Sequence, residues 1–244
     1  MSIQANRVHR RPALAASVRW SVASSYVGVT AGAWIATWFL ELDRLFPGKV
    51  MLILGFGAAL IVVLADKYGT SDSFGPANRV TLARAAMIAM LIALIGESPT
   101  SQSAWFAVIV ASVVTTLDGV DGWLARSRVD ASEFGARFDM ETDALLIFTT
   151  TALAWRYGKA GPWILAGGLM RYAFIASSNL LPWMRRALPE SQRRKTICVV
   201  QTCSLIGCLA PPLASPVSDF VALSSLVLLS GSFAIDIAWL ARRT

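Results

Sequence analysis

The sequence predicts an all-α, polytopic membrane protein, and three observations carry that prediction. Of 244 residues, 55% are hydrophobic and 15% are charged, against about 25% charged in soluble domains. The mean hydropathy is +0.57. The apolar residues also gather into about eight runs, close to the ~20 residues an α-helix needs to cross hydrocarbon. Short stretches carrying Gly, Pro and charge separate them.

Residues 1–19 form a basic tail with Arg7, Arg10, Arg11 and Arg19. Apolar runs over 20–40 and 50–65 then predict a helical hairpin around the polar turn ELDRLFPGK. The first run exceeds a signal-peptide core and no A-x-A site closes it, so a retained helix is expected. The hydrophilic stretch DKYGTSDSFGPANR carries Gly and Pro punctuation. It divides the chain near residue 76 into an N-terminal segment, 1–75, and a main body, 76–244. Six runs follow in the body, over 80–95, 104–124, 136–155, 162–181, 196–213 and 217–240. No repeat of fixed period and no inverted halves are evident.

Charge sets the expected topology. With the N-terminus in the cytoplasm, the outer ends hold Arg44, Lys49, Arg156 and Lys159, and Arg171 lies within a run. The rest of the 22 Lys and Arg collect at the inner ends. This bias predicts N-in and C-in. It also accounts for the net charge of +7, so nucleic acid is not an expected partner. Cys198, Cys203 and Cys208 stand five apart in one apolar run, off any common helical face. They are expected to be reduced packing residues. The single histidine, His9, lies in the basic tail, which argues against a His-based metal site or triad.

The chain is organised around the stretch LDGVDGWLARSRVDASEFGARFDMETD, where Asp118, Asp121, Asp139 and Asp143 interrupt apolar helical sequence. Carboxylates near hydrocarbon cost several kcal/mol unless paired, hydrated or bound to a cation. Asp118 and Asp121 are three apart and Asp139 and Asp143 four apart, so each pair shares a helix face. Two such helices, joined by the hydrophilic stretch 127–134, can aim all four into one space. Oxygen-only ligands select hard cations, Mg²⁺ or Mn²⁺ ahead of zinc. A salt-bridged helix pair using Arg126, Arg128 and Arg137 would also satisfy the charges. Intramembrane carboxylates mark ion paths too, so a divalent-cation transporter is the competing class. The inner-end position of the cluster and the lack of repeats weigh against it.

Written out, the stretch is D-x2-D-G-x2-A-R-x8-G-x3-D-x3-D, filled by Asp118, Asp121, Gly122, Ala125, Arg126, Gly135, Asp139 and Asp143. This resembles the signature of the CDP-alcohol phosphotransferase (CDP-alcohol phosphatidyltransferase) family. An N-x-x-T-x-x-R pattern one run earlier, at Asn78, Thr81 and Arg84, resembles the opening of that family's first core helix. The resemblance implies a six-helix membrane core over 76–244, with the 20–65 hairpin extra to it. It implies transfer of a phosphatidyl group from CDP-diacylglycerol to an acceptor hydroxyl with release of CMP. Asp118, Asp121, Asp139 and Asp143 would hold Mg²⁺ or Mn²⁺, two ions in all, with Asp143 also the base. Asn78, Thr81, Arg84, Gly122, Ala125, Arg126 and Gly135 would line the CDP pocket.

The acceptor is a separate question. Arg171 lies within an apolar run, where an arginine is a functional candidate by default. Arg193, Arg194 and Lys195 follow in a basic loop. Together these four suit an anionic acceptor such as glycerol 3-phosphate, resembling the phosphatidylglycerophosphate synthase branch. Tyr172 and Val199 depart from that branch, which has an acidic residue and Gln there. Phosphatidylglycerol, inositol phosphate and serine are the alternative acceptors within the family. An inner bacterial membrane, a site facing the cytoplasm and a homodimer complete the expectation.

Overall fold

The computed structural model describes residues 2–68, 75–127, 133–186, 188–189 and 191–242. For 2–19, 62–68, 120–127, 133 and 185 it describes the backbone alone. The described residues form helices and turns, with no strand among them: α1 Ser2–Phe39, α2 Phe46–Tyr68, α3 Pro76–Leu94, α4 Ser101–Ser127, α5 Glu133–Arg156, α6 Leu165–Leu180, α7 Gln192–Leu209 and α8 Val217–Ala241. Short 3₁₀ turns at Pro162–Ile164 and Pro182–Arg185 flank α6. Pro76 opens α3 behind an extended Gly75, as its fixed φ and missing N–H favour at a first helical position.

Pro76–Leu94, Ser101–Gly119 and Val217–Ala241 are long and apolar enough to cross a membrane, and Phe46–Ile61 is a shorter apolar helix. Trp34, Trp38, Leu52, Phe56 and Phe220 are all exposed. Large apolar side chains standing free in such numbers call for hydrocarbon rather than water around them.

The chain divides into two compact units, Met1–Ser98 with Ser112–Asp143, and Pro99–Ala111 with Ala144–Thr244. In the first unit α1, α2 and α3 pack together. Ile61, Leu82 and Phe134 form a buried cluster that Val22 and Phe138 adjoin. Near the far end of α3, Glu97 is buried. It accepts hydrogen bonds from the Asp43 amide at 3.1 Å and from Lys49 Nζ at 2.7 Å. A buried carboxylate is tolerated when paired in this way, and the pair ties the α1–α2 turn to the end of α3.

In the second unit, Thr149, Thr150 and Thr151 are fully buried on α5. Their hydroxyls donate to the carbonyls of Leu145, Leu146 and Phe148, so these polar groups pack without an external partner. Gly168 of α6 meets this surface. A Cβ there would stand 2.8 Å from Phe148 Cα and 2.7 Å from Thr151 Oγ1. Glycine thus permits the two helices to approach. Gly168→Ala is expected to destabilise the protein by about 1–3 kcal/mol through overpacking, read as a lowered unfolding midpoint in detergent. An unchanged midpoint would show that the contact yields freely. The loop joining α7 to α8 is held by Lys159, whose Nζ donates to the carbonyls of Ala210 at 3.0 Å and Leu213 at 2.8 Å.

Candidate active site

Three helices of the first unit bring the site together. Asp118 comes from α4, Asp139 and Asp143 from successive turns of one face of α5, and Arg84 from α3. One carboxylate oxygen from each of the three aspartates lies within 4.8 Å of the others. Between them sits Arg84, fully buried. Its Nη1 is 2.8 Å from Asp118 Oδ1 and 2.6 Å from Asp139 Oδ1, and its Nη2 donates to Asp143 Oδ1. Arginine suits this position because its planar fork serves several acceptors and stays charged when buried. The carboxylates are 38%, 39% and 44% exposed at Asp118, Asp139 and Asp143. The cluster is therefore anchored from beneath by a cation and open on its other side.

Among the described residues one arginine faces three carboxylates, which leaves an excess of negative charge. Three oxygen donors at this mutual distance, with an open face, fit a hard divalent cation. Asp118, Asp139 and Asp143 are the described residues that would hold it. Asp121, Gly122, Ala125 and Arg126 lie on α4, but their side chains fall outside the described residues. Gly135 is half-buried on α5, one turn before Asp139. Asn78 and Thr81 precede Arg84 on α3. Thr81 is buried and donates to Ala77 O at 3.2 Å, while Asn78 is half-buried.

The basic residues proposed for the acceptor lie in the second unit. Arg171 is half-buried on α6, and Arg193, Arg194 and Lys195 form the first turn of α7. Arg193 Nη1 donates to both the carbonyl and the hydroxyl of Ser232, at 2.8 and 2.7 Å, and its Nη2 to Asp236. Arg194 Nη1 lies 3.7 Å from the other oxygen of Asp236. Lys195 is exposed. Part of this basic group's charge is thus met within the protein.

Asp236 is the residue that sequence reasoning passed over. Its signal was available: a single carboxylate within the apolar run FAIDIAW needs a partner. Asp236→Asn is expected to cost about 1.5–3 kcal/mol, the range for a hydrogen bond to a charged group. A double-mutant cycle with Arg193→Met measures it. A coupling near zero would show that the pair is incidental.

The family model for CDP-alcohol phosphatidyltransferase matches residues 74–235. No curated protein and no solved structure matches the chain. Aspartates clustered on two helices, one from α4 and two from α5, within a matched segment covering most of the chain, define a membrane-bound transferase of substituted phosphate groups. The chain belongs to the CDP-alcohol phosphatidyltransferase family. It is an integral membrane protein of phospholipid synthesis, from a family that works by phosphatidyl transfer and uses a divalent metal. The three cysteines are free.

Proposed function

We propose that the protein transfers a phosphatidyl group from CDP-diacylglycerol to glycerol 3-phosphate, releasing CMP. The observation that carries this reading is the convergence of Asp118, Asp139 and Asp143 on one open face, within the matched segment. The donor is a lipid because the chain lies largely in bilayer. The acceptor is taken as anionic on the resemblance to the phosphatidylglycerophosphate synthase branch, in which Arg171, Arg193, Arg194 and Lys195, on α6 and α7, are the binding residues. In this reading residues 76–244 form the catalytic body, with both termini and the carboxylate cluster on the cytoplasmic side.

Asp143 takes the proton from the acceptor hydroxyl. The acceptor oxygen forms a bond to the lipid-bearing phosphorus. The bond from that phosphorus to the bridging oxygen breaks, and CMP leaves with the electron pair. Asp118, Asp121, Asp139 and Asp143 would hold Mg²⁺ or Mn²⁺, as two ions, which when bound would neutralise the charge of the pyrophosphate. Arg84 holds the carboxylates at their spacing, and Asn78, Thr81, Gly122, Ala125, Arg126 and Gly135 receive the CDP moiety.

The test gives purified protein CDP-diacylglycerol, Mg²⁺ or Mn²⁺ and a panel of acceptors. Labelled phosphatidyl transfer to glycerol 3-phosphate, lost on chelation, is the expected result. Transfer only to serine, inositol phosphate or phosphatidylglycerol would replace the acceptor assignment. Divalent-cation uptake into proteoliposomes without CMP release would overturn the enzymatic reading.

A further inference from the structure

Away from the carboxylates, the first unit contains a cavity of about 480 Å³ lined by Trp20, Ser21, Ser24, Ser25 and Arg79. Its walls come from α1 and from the first turn of α3. Both lining segments stand where polar sequence gives way to apolar sequence. Trp20 begins the first apolar run, and Arg79 immediately precedes the third. This is the level of a bilayer at which phospholipid headgroups lie and at which Trp and Arg side chains concentrate.

Trp20 also marks which way the cavity faces. Trp20, Val27, Trp34 and Trp38 are all strongly exposed and follow at gaps of seven, seven and four residues, so they share one face of α1. An exposed apolar face of this kind calls for hydrocarbon around it. The cavity begins where the stripe reaches its polar end. Arg79 is exposed there. Among the described residues no carboxylate pairs with its guanidinium. Ser24 Oγ is held by the Ser21 carbonyl at 3.0 Å, and the other serines add neutral hydroxyls to the wall. A guanidinium beside hydroxyls is phosphate-binding chemistry, and the exposed apolar stripe below it suits acyl chains.

We propose that this cavity binds the phosphate headgroup of an anionic phospholipid, whose acyl chains lie along the Trp20–Trp38 stripe of α1. The site is distinct from the carboxylate cluster and pairs α1, which precedes the family match, with Arg79 inside it. The lipid it takes is a resident ligand, neither donor nor acceptor.

Native mass spectrometry of the full-length protein in detergent, titrated with dioleoyl phosphatidic acid, tests this. The expected result is one tightly retained lipid, with dioleoyl phosphatidylcholine held at least tenfold more weakly. Arg79→Gln and, independently, Ser24→Leu, which narrows the cavity at an exposed position, are each expected to weaken retention at least tenfold. Equal retention by either folded variant and the parent would overturn the proposal, as would equal retention of the zwitterionic lipid. Displacement by millimolar inorganic phosphate would make the cavity a site for free phosphate and overturn the lipid assignment. Displacement by equimolar CDP-diacylglycerol would make it part of the donor site and overturn it equally. If Arg79→Gln fails to fold, the Ser24→Leu comparison alone decides.

Discussion

Asp143→Asn is expected to lower CMP release by at least about 10³-fold while the protein stays folded. The isosteric amide keeps a side chain of the same size but can no longer take a proton, and general-base removal alone costs roughly 10²–10⁴-fold. The amide is also a poorer ligand for a hard cation, which adds to the loss. Folding should survive because Asp143 is one of three carboxylates crowded on Arg84. Removing one relieves like-charge repulsion as well as removing an ion pair. The measurement is CMP release under saturating donor and acceptor, alongside an unfolding midpoint. Activity within tenfold of the parent would remove Asp143 from the role of base.

Arg84→Met is expected to act first on stability. The variant removes the guanidinium shared by three carboxylates that lie within 4.8 Å of each other. Removing one partner from a fully buried charge network costs about 3–5 kcal/mol. The carboxylates here are 38–44% exposed, so solvent screens part of this and about 2–4 kcal/mol is expected. Millimolar Mg²⁺ should recover part of the loss and chelation should abolish the recovery, since binding to the folded state alone raises stability. Arg84→Lys should rescue poorly, because one ammonium cannot reproduce contacts made by two separate guanidinium nitrogens. A midpoint in Arg84→Met that does not respond to divalent ions would argue that the cluster has no cation affinity of its own. This readout needs no turnover, so it separates the cation-binding claim from the catalytic one.

Much of the carboxylate cluster was legible because it rests on short-range arithmetic. A spacing of four between Asp139 and Asp143 fixes a shared helix face whatever the rest of the chain does. The link to Asp118 needed only a helical hairpin, which the hydrophilic stretch 127–134 signals. The position of Arg84 was not legible in the same way. It is 55 and 59 residues from Asp139 and Asp143, and no periodicity says which face of α3 turns toward α4 and α5. The resemblance gave Arg84 a nucleotide-facing role. In the structure its guanidinium is engaged by Asp118, Asp139 and Asp143, and its side chain has no exposed surface.

The same limit explains Asp236 and Glu97. A lone carboxylate in an apolar run announces that it needs a partner, but not which one. Asp236 found Arg193 on α7. Glu97 found Lys49, which charge counting had assigned only to an outer loop. Helix existence followed from apolar runs, whereas helix ends did not. α2 continues through Asp66 and Lys67 to Tyr68, beyond its apolar run, because charged residues at a helix end are tolerated once its apolar face is packed.

The Glu97 contact has a bearing on how this protein came by its extra helices. The family match begins at residue 74, so a chain trimmed to the shared segment would lack Lys49 and the Asp43 amide. It would keep Glu97 as a carboxylate with two of its partners gone. A buried acid at that position is costly without the partners the hairpin supplies. The acid and the hairpin are thus expected to be inherited or lost together, which makes residue 97 a marker for the presence of the appendage in related chains.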